Sequence, residues 1–141
     1  MRESFLPFCS YMLNILEGGG KVHTNVGDPG GTTCWGFAQK FNPDIDVTKL
    51  TEETATARAL EKYWKANGCD TLLFPMDIMV FDCAFNQSAS FARGLVGMKI
   101  GTAVIARLLR YHDKTNPRFV AGTCFRVVEV LDYIRKNGGD M

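Results

Sequence analysis

The sequence predicts a mainly α fold with a glycine-rich loop or small β-hairpin after the first helix. Three observations carry that expectation. Apolar residues recur at i, i+3 and i+4 in most segments. Seven glycines crowd residues 18–37, a density that belongs to tight turns or a hairpin. The chain of 141 residues suits one domain able to bury roughly two-thirds of its unfolded surface.

The elements follow in order. Residues 4–17 place Phe5, Phe8, Cys9, Met12, Leu13, Ile15 and Leu16 on a wide apolar face. Ser4 suits an N-cap, and Pro7 falls in the first turn, where proline is tolerated. Gly18, Gly19 and Gly20 end this helix, so Glu17 sits on its last turn. Thr51, followed by Glu52 and Glu53, opens a second helix that carries Tyr63-Trp64 and closes at Asn67-Gly68. Pro75 opens a third, apolar on most sides, to Asn86. Residues 89–111 read as one or two helices with possible breaks at Gly94, Gly97 and Gly101. Asn116-Pro117 starts the last helix, and Gly138-Gly139 end it.

Composition narrows the class. Hydrophobic residues are 46% and charged residues 22%, which excludes a disordered, collagen-like or coiled-coil chain. No apolar run reaches the roughly 18 residues of a membrane span. Net charge is +1, but residues 93–136 hold nine Lys/Arg against three acids. These cations are expected to coat the wet faces of helices; an anionic partner is the other reading. The five cysteines include no CxxC pair, which argues against a zinc or redox centre and for small core residues. The stretch Phe5–Leu16 reads as a core helix rather than a secretory signal, because Glu3, Pro7, Ser10 and Asn14 break the required pattern.

Chemistry centres on Glu17. A carboxyl at the C-terminal end of a largely buried helix meets the negative end of the macrodipole in a poorly solvated place. Both conditions favour the protonated form that a general acid needs. Asp28-Pro29-Gly30-Gly31 is a tight turn able to hold a second carboxylate across the glycine-rich reversal. Two carboxyls facing over a cleft is the plan of a glycosidase: one protonates the leaving oxygen, the other steers water or steadies the sugar cation. Trp35 offers a flat face for a sugar ring, or for the core. His23 lies between the two acids. Asp82 and Asn86 share one face of the third helix and suit either a cleft floor or a structural hydrogen-bond network. His112 reads as a surface residue. Neither histidine has a metal-ligand partner at suitable spacing, so no metal is expected.

The segment ILEGGGKVHTNVGDPGGTTCWGF resembles the N-terminal signature of glycoside hydrolase family 108. The matching residues are Glu17-Gly18-Gly19, Asp28 to Gly31, Thr33 and Gly36. Tyr63-Trp64 and Phe81-Asp82-Cys83-Ala84-Phe85-Asn86 resemble later family motifs. Asn116-Pro117-Arg118-Phe119, with Gly122 and Arg126, resembles the short C-terminal region usually attached. The resemblance divides a single lysozyme-like domain, 1–141, into a catalytic signature region at 1–86 and a shortened peptidoglycan-binding-like region at 87–141.

The resemblance implies a muramidase, commonly a bacteriophage endolysin, cleaving the β-1,4 bond between N-acetylmuramic acid and N-acetylglucosamine in cell-wall lysis. It implies Glu17 as catalytic acid with Asp28 and Thr33 managing water; the residue readings above add Trp35, His23 and Asn86 as expected substrate contacts. That chemistry needs no cofactor, no recognised motif supports a nucleic-acid partner, and a monomer is expected. With no signal sequence the enzyme is expected to collect in the host cytoplasm, and the resemblance implies a holin-type pore for access to the periplasmic wall. Alternatives are a lytic transglycosylase on the same bond and a non-catalytic wall-binding or virion protein. Three departures stand out: Gly20 replaces a frequent aromatic, the C-terminal region is short, and Gly122-Thr123 replaces a Gly-Trp pair.

Overall fold

A computed structural model describes residues 2–24 and 31–140. The described residues are mainly helical, with one small antiparallel sheet. They divide into two compact units, one of Phe5–Lys62 and the other of the rest of the chain.

In the first unit, α1 spans Phe5–Tyr11 and runs on into a π-helical turn at Met12–Leu16. Phe5, Phe8, Cys9, Met12 and Leu13 are buried, as the 3.6-residue spacing requires. Ser4, in the 3-10 turn that precedes α1, belongs to the other unit, where its hydroxyl donates to Asp77. The helix ends with the Glu17 amide bonded to the Met12 carbonyl and the Gly19 amide to the Leu13 carbonyl, both at 2.9 Å. Gly18 and Gly19 both take positive φ there, the usual way to close a helix.

Three short strands follow: β1 at His23–Thr24, β2 at Thr32–Cys34 and β3 at Phe37–Ala38, in the order β1-β2-β3. His23 pairs with Thr33, and Cys34 pairs with Phe37. The β2–β3 loop is therefore Trp35-Gly36. Both residues have positive φ, 53° and 79°, which makes a type I′ hairpin turn. Cys34 and Phe37 are buried beneath it.

The stretch from β3 to Thr51 is held by polar bonds. Gln39 Nε2 donates to the Asn42 and Ile45 carbonyls, at 2.8 and 2.7 Å. Arg58 Nε and Lys62 Nζ both donate to Asn42 Oδ1 at 2.9 Å. Helix α2, Glu52–Ala59, starts at Thr51, whose hydroxyl accepts from the Thr54 amide while Thr54 reciprocates.

The other unit is helical. Trp64 is buried, packs edge-on against Phe81 with centroids 5.6 Å apart, and donates to Asp70. Helix α3, Met76–Asn86, is buried continuously from Asp77 to Ala84. Helices α4, Ala89–Arg93, and α5, Ile100–Lys114, are separated at residues 94–99. Gly101 thus lies inside α5 and does not break it. Pro117–Phe119 form a 3-10 turn capped by Asn116, and α6 spans Val120–Lys136.

Inside this unit Asp82 accepts from Arg107 at 2.9 Å and from Arg126 at 2.7 Å, with Asp82 and Arg107 fully buried. Burial by itself pushes the Asp82 carboxyl up, but the Arg126 and Arg107 charges outweigh it and hold it below the usual carboxylate range. Two cations expected on wet faces are therefore interior ion-pair partners. Four of the five cysteines are buried and Cys124 is partly so; all are free thiols.

Candidate active site

Glu17 is half-buried at the C-terminal end of the π turn. Its side chain crosses the β2–β3 turn at Gly36. A Cβ built on Gly36 would lie 2.7 Å from Glu17 Cγ, 2.8 Å from Cδ and 2.9 Å from Oε2. Only a residue without a side chain lets the carboxyl rest there, and the φ of 79° favours glycine independently. The π turn matters for the same reason: one extra residue in the helical turn changes where the terminal side chain points.

Trp35, the other turn residue, is a bulky side chain in left-handed backbone, an uncommon and strained placement. Its indole Nε1 donates to the Leu50 carbonyl at 3.2 Å. The ring lies over Gly20, where a Cβ would come within 3.0 Å of Cε2 and Cζ2. Cys34 Sγ donates to the Gly20 carbonyl at 3.5 Å. Gly20 is the position where the resemblance expects an aromatic; here a side chain at that position would meet the Trp35 indole from the β2–β3 turn.

His23 and Thr33 are cross-strand partners, both half-buried, and so present their side chains on one face of the sheet. The His23 ring reaches Gly18: Nε2 is 3.6 Å from a Cβ built there. Glu17, His23, Thr33 and Trp35 are thus gathered around one small sheet by the contacts of Gly18, Gly20 and Gly36. Asp28 lies outside the described residues. Asn86, at the end of α3, is exposed and accepts a hydrogen bond from the Tyr111 hydroxyl. Asp82 and Asn86 face Arg107 and Tyr111, one turn apart on α5, in a structural network.

Sequence reasoning missed the spacing roles of Gly20 and Gly36. The signal in the sequence was a glycine at position 36, inside the glycine-rich segment and directly before Phe37, where a two-residue hairpin turn requires positive φ. Among the described residues, no three His, Cys, Asp or Glu side chains converge as a metal site requires. No described helix is long and apolar enough to cross a membrane.

Comparison with curated proteins gives no match, and comparison with solved structures gives none either. One family model matches residues 12–87, more than half of the chain and inclusive of every side chain gathered around the sheet. The chain belongs to the family described as Glycosyl hydrolase 108, and it is a glycoside hydrolase.

Proposed function

We propose that the chain is a peptidoglycan muramidase that hydrolyses the β-1,4 bond between N-acetylmuramic acid and N-acetylglucosamine. The observation that carries this reading is the Glu17 carboxyl, held by the end of a buried helix and by the Gly36 backbone beside a sheet of small polar residues. In this mechanism Glu17 gives its proton to the glycosidic oxygen as the bond breaks and positive charge builds on the sugar ring. Asp28, with the Thr33 hydroxyl, orients the water that adds to that carbon and takes its proton. Trp35 and His23 supply ring-face and hydrogen-bond contacts to the strand. As an endolysin the protein would act as a monomer on the periplasmic wall after a holin-type pore opens the membrane.

Turbidity loss of outer-membrane-permeabilised Gram-negative cells tests the reading, with wild type and Glu17→Gln side by side. Wild type should clear the cells, Glu17→Gln should not, and mass spectrometry should find fragments ending in reducing N-acetylmuramic acid. Anhydro ends would assign the same site to a lytic transglycosylase. Two folded proteins equally inactive on purified sacculi would point to a wall-binding protein instead.

A further inference from the structure

The helical unit carries a polar cluster of its own. Arg110 and Lys114 stand one turn apart near the C-terminal end of α5. Both line a cleft of about 220 Å³ with Asn86, Gln87, Tyr111 and Thr115. No carboxylate lines that cleft. Arg110 and Lys114 also line the neighbouring cleft, on the Phe91 side, together with Asp113, which is bonded to His112 at 3.1 Å and pairs with neither cation. Asp82 is saturated by Arg107 and Arg126.

Among the described residues, Arg110 and Lys114 take part in no ion pair. Arg110 is instead stacked over the Phe91 ring, its guanidinium carbon 4.7 Å from the centroid. Stacking on a ring face orients the guanidinium plane while leaving its N–H donors at the edge unspent.

The neutral residues complete a donor set. Asn86 Oδ1 is engaged by the Tyr111 hydroxyl. Gln87 Oε1 is engaged by Arg107 Nε at 2.6 Å, and Gln87 Nε2 by the Arg107 carbonyl at 3.2 Å. The side-chain groups left to meet a ligand are the Asn86 amide hydrogens, the Thr115 hydroxyl and the two cations. Cations near a helix C-terminus complement its dipole. That accounts for their place on α5, but not for their meeting in a cleft that no carboxylate lines. A guanidinium fork beside an ammonium suits the two oxygens of a carboxylate.

We propose that this cleft binds a carboxylate of an acidic peptide, and that the peptide is the stem carried by the wall strand being cleaved. The second half rests on the muramidase reading; the first does not.

The test uses the full chain bearing Glu17→Gln, followed by amide and side-chain NMR. The probes are acetyl-alanyl-glutamate, its diamide and inorganic phosphate. The dicarboxylate should give saturable shifts at the Lys114 and Thr115 amides and the Asn86 side chain, and the diamide none. Arg110→Gln with Lys114→Gln should weaken that binding at least about tenfold, the factor one charge-assisted hydrogen bond supplies, with the dichroism spectrum unchanged. Non-saturating shifts, equal shifts from the diamide, or tighter binding of phosphate would each overturn the proposal. Co-sedimentation with glycan strands, with and without stem peptides, then tests the source. The double variant should lose binding to stem-bearing strands only; equal loss on stripped strands refutes the stem assignment. Failure of the muramidase reading appears separately, as wild type that leaves strands intact while the dipeptide still binds.

Discussion

Replacing Gly36 by alanine adds one methyl group where the Glu17 side chain crosses the β2–β3 turn. Ordinary contact to a Cβ begins at 3.4 Å, so a separation of 2.7 Å is about 0.7 Å too short. The carboxyl must retreat by most of that distance, because the obstacle is a turn of backbone rather than a flexible side chain. The positive φ adds about 1–2 kcal/mol of strain, small beside a domain stability of about 5–15 kcal/mol. Gly36→Ala should therefore fold but place the acid wrongly, and a misplacement near 1 Å costs on the order of 10²-fold in rate. The assay is the initial rate of cell clearing at matched concentration, with thermal unfolding by circular dichroism. Gly97→Ala is the control: φ is 88°, and nothing described lies within 4 Å of its Cβ. It should show the same loss of stability and wild-type activity. A Gly36→Ala protein retaining more than half the wild-type rate would refute the reasoning. So would a Gly97→Ala protein falling as far, which would make the effect one of stability alone.

Three further outcomes are expected. Asp82→Asn leaves two buried guanidinium groups without their carboxylate and should cost about 3–5 kcal/mol in chemical denaturation. Because the folded carboxyl is held below its unfolded value, its stabilisation is complete above about pH 4 and is lost as pH falls through the folded value; the variant's stability should therefore be flatter across that acid range. Thr51→Ala removes the cap of α2 and should cost about 1 kcal/mol, read as a shift in denaturation midpoint with unchanged slope. Burial pushes the Cys9 and Cys69 thiols up to about 12 and Cys83 to about 11, so under native conditions a thiol reagent at pH 8 should label Cys124 quickly and these three only as fast as the chain opens.

Much of the fold is legible from local patterns. The 3.6-residue spacing, Thr51, Asn116-Pro117 and the glycines after Glu17 mark helix ends because each acts within one turn of its own position. The π turn at Met12–Leu16 is not marked in that way, since it reflects how the helix end is held rather than any propensity of its residues. Nor is the sheet register, which follows from the two-residue turn at Trp35-Gly36. The loop from Gln39 to Val47 carries no periodicity and is ordered by Asn42, whose partners Arg58 and Lys62 come from a later helix.

The site divides the same way. By itself the sequence determined that Glu17 ends a buried helix, that a turn-rich segment follows, and that the spacing of Glu17, Asp28, Thr33 and Gly36 is that of one hydrolase family. Those are statements about order along the chain, and order is what a sequence records. Tertiary structure decided which glycines are gaps: Gly36 for Glu17, and Gly20 for the indole of Trp35. It also decided which cations are spent in the interior, Arg107 and Arg126, and which remain at a cleft, Arg110 and Lys114. The reason is physical. A glycine in a turn and a glycine under a carboxyl have the same local signature, and an arginine on a helix has the same propensity whether it meets water or an aspartate. Only packing between distant segments distinguishes them.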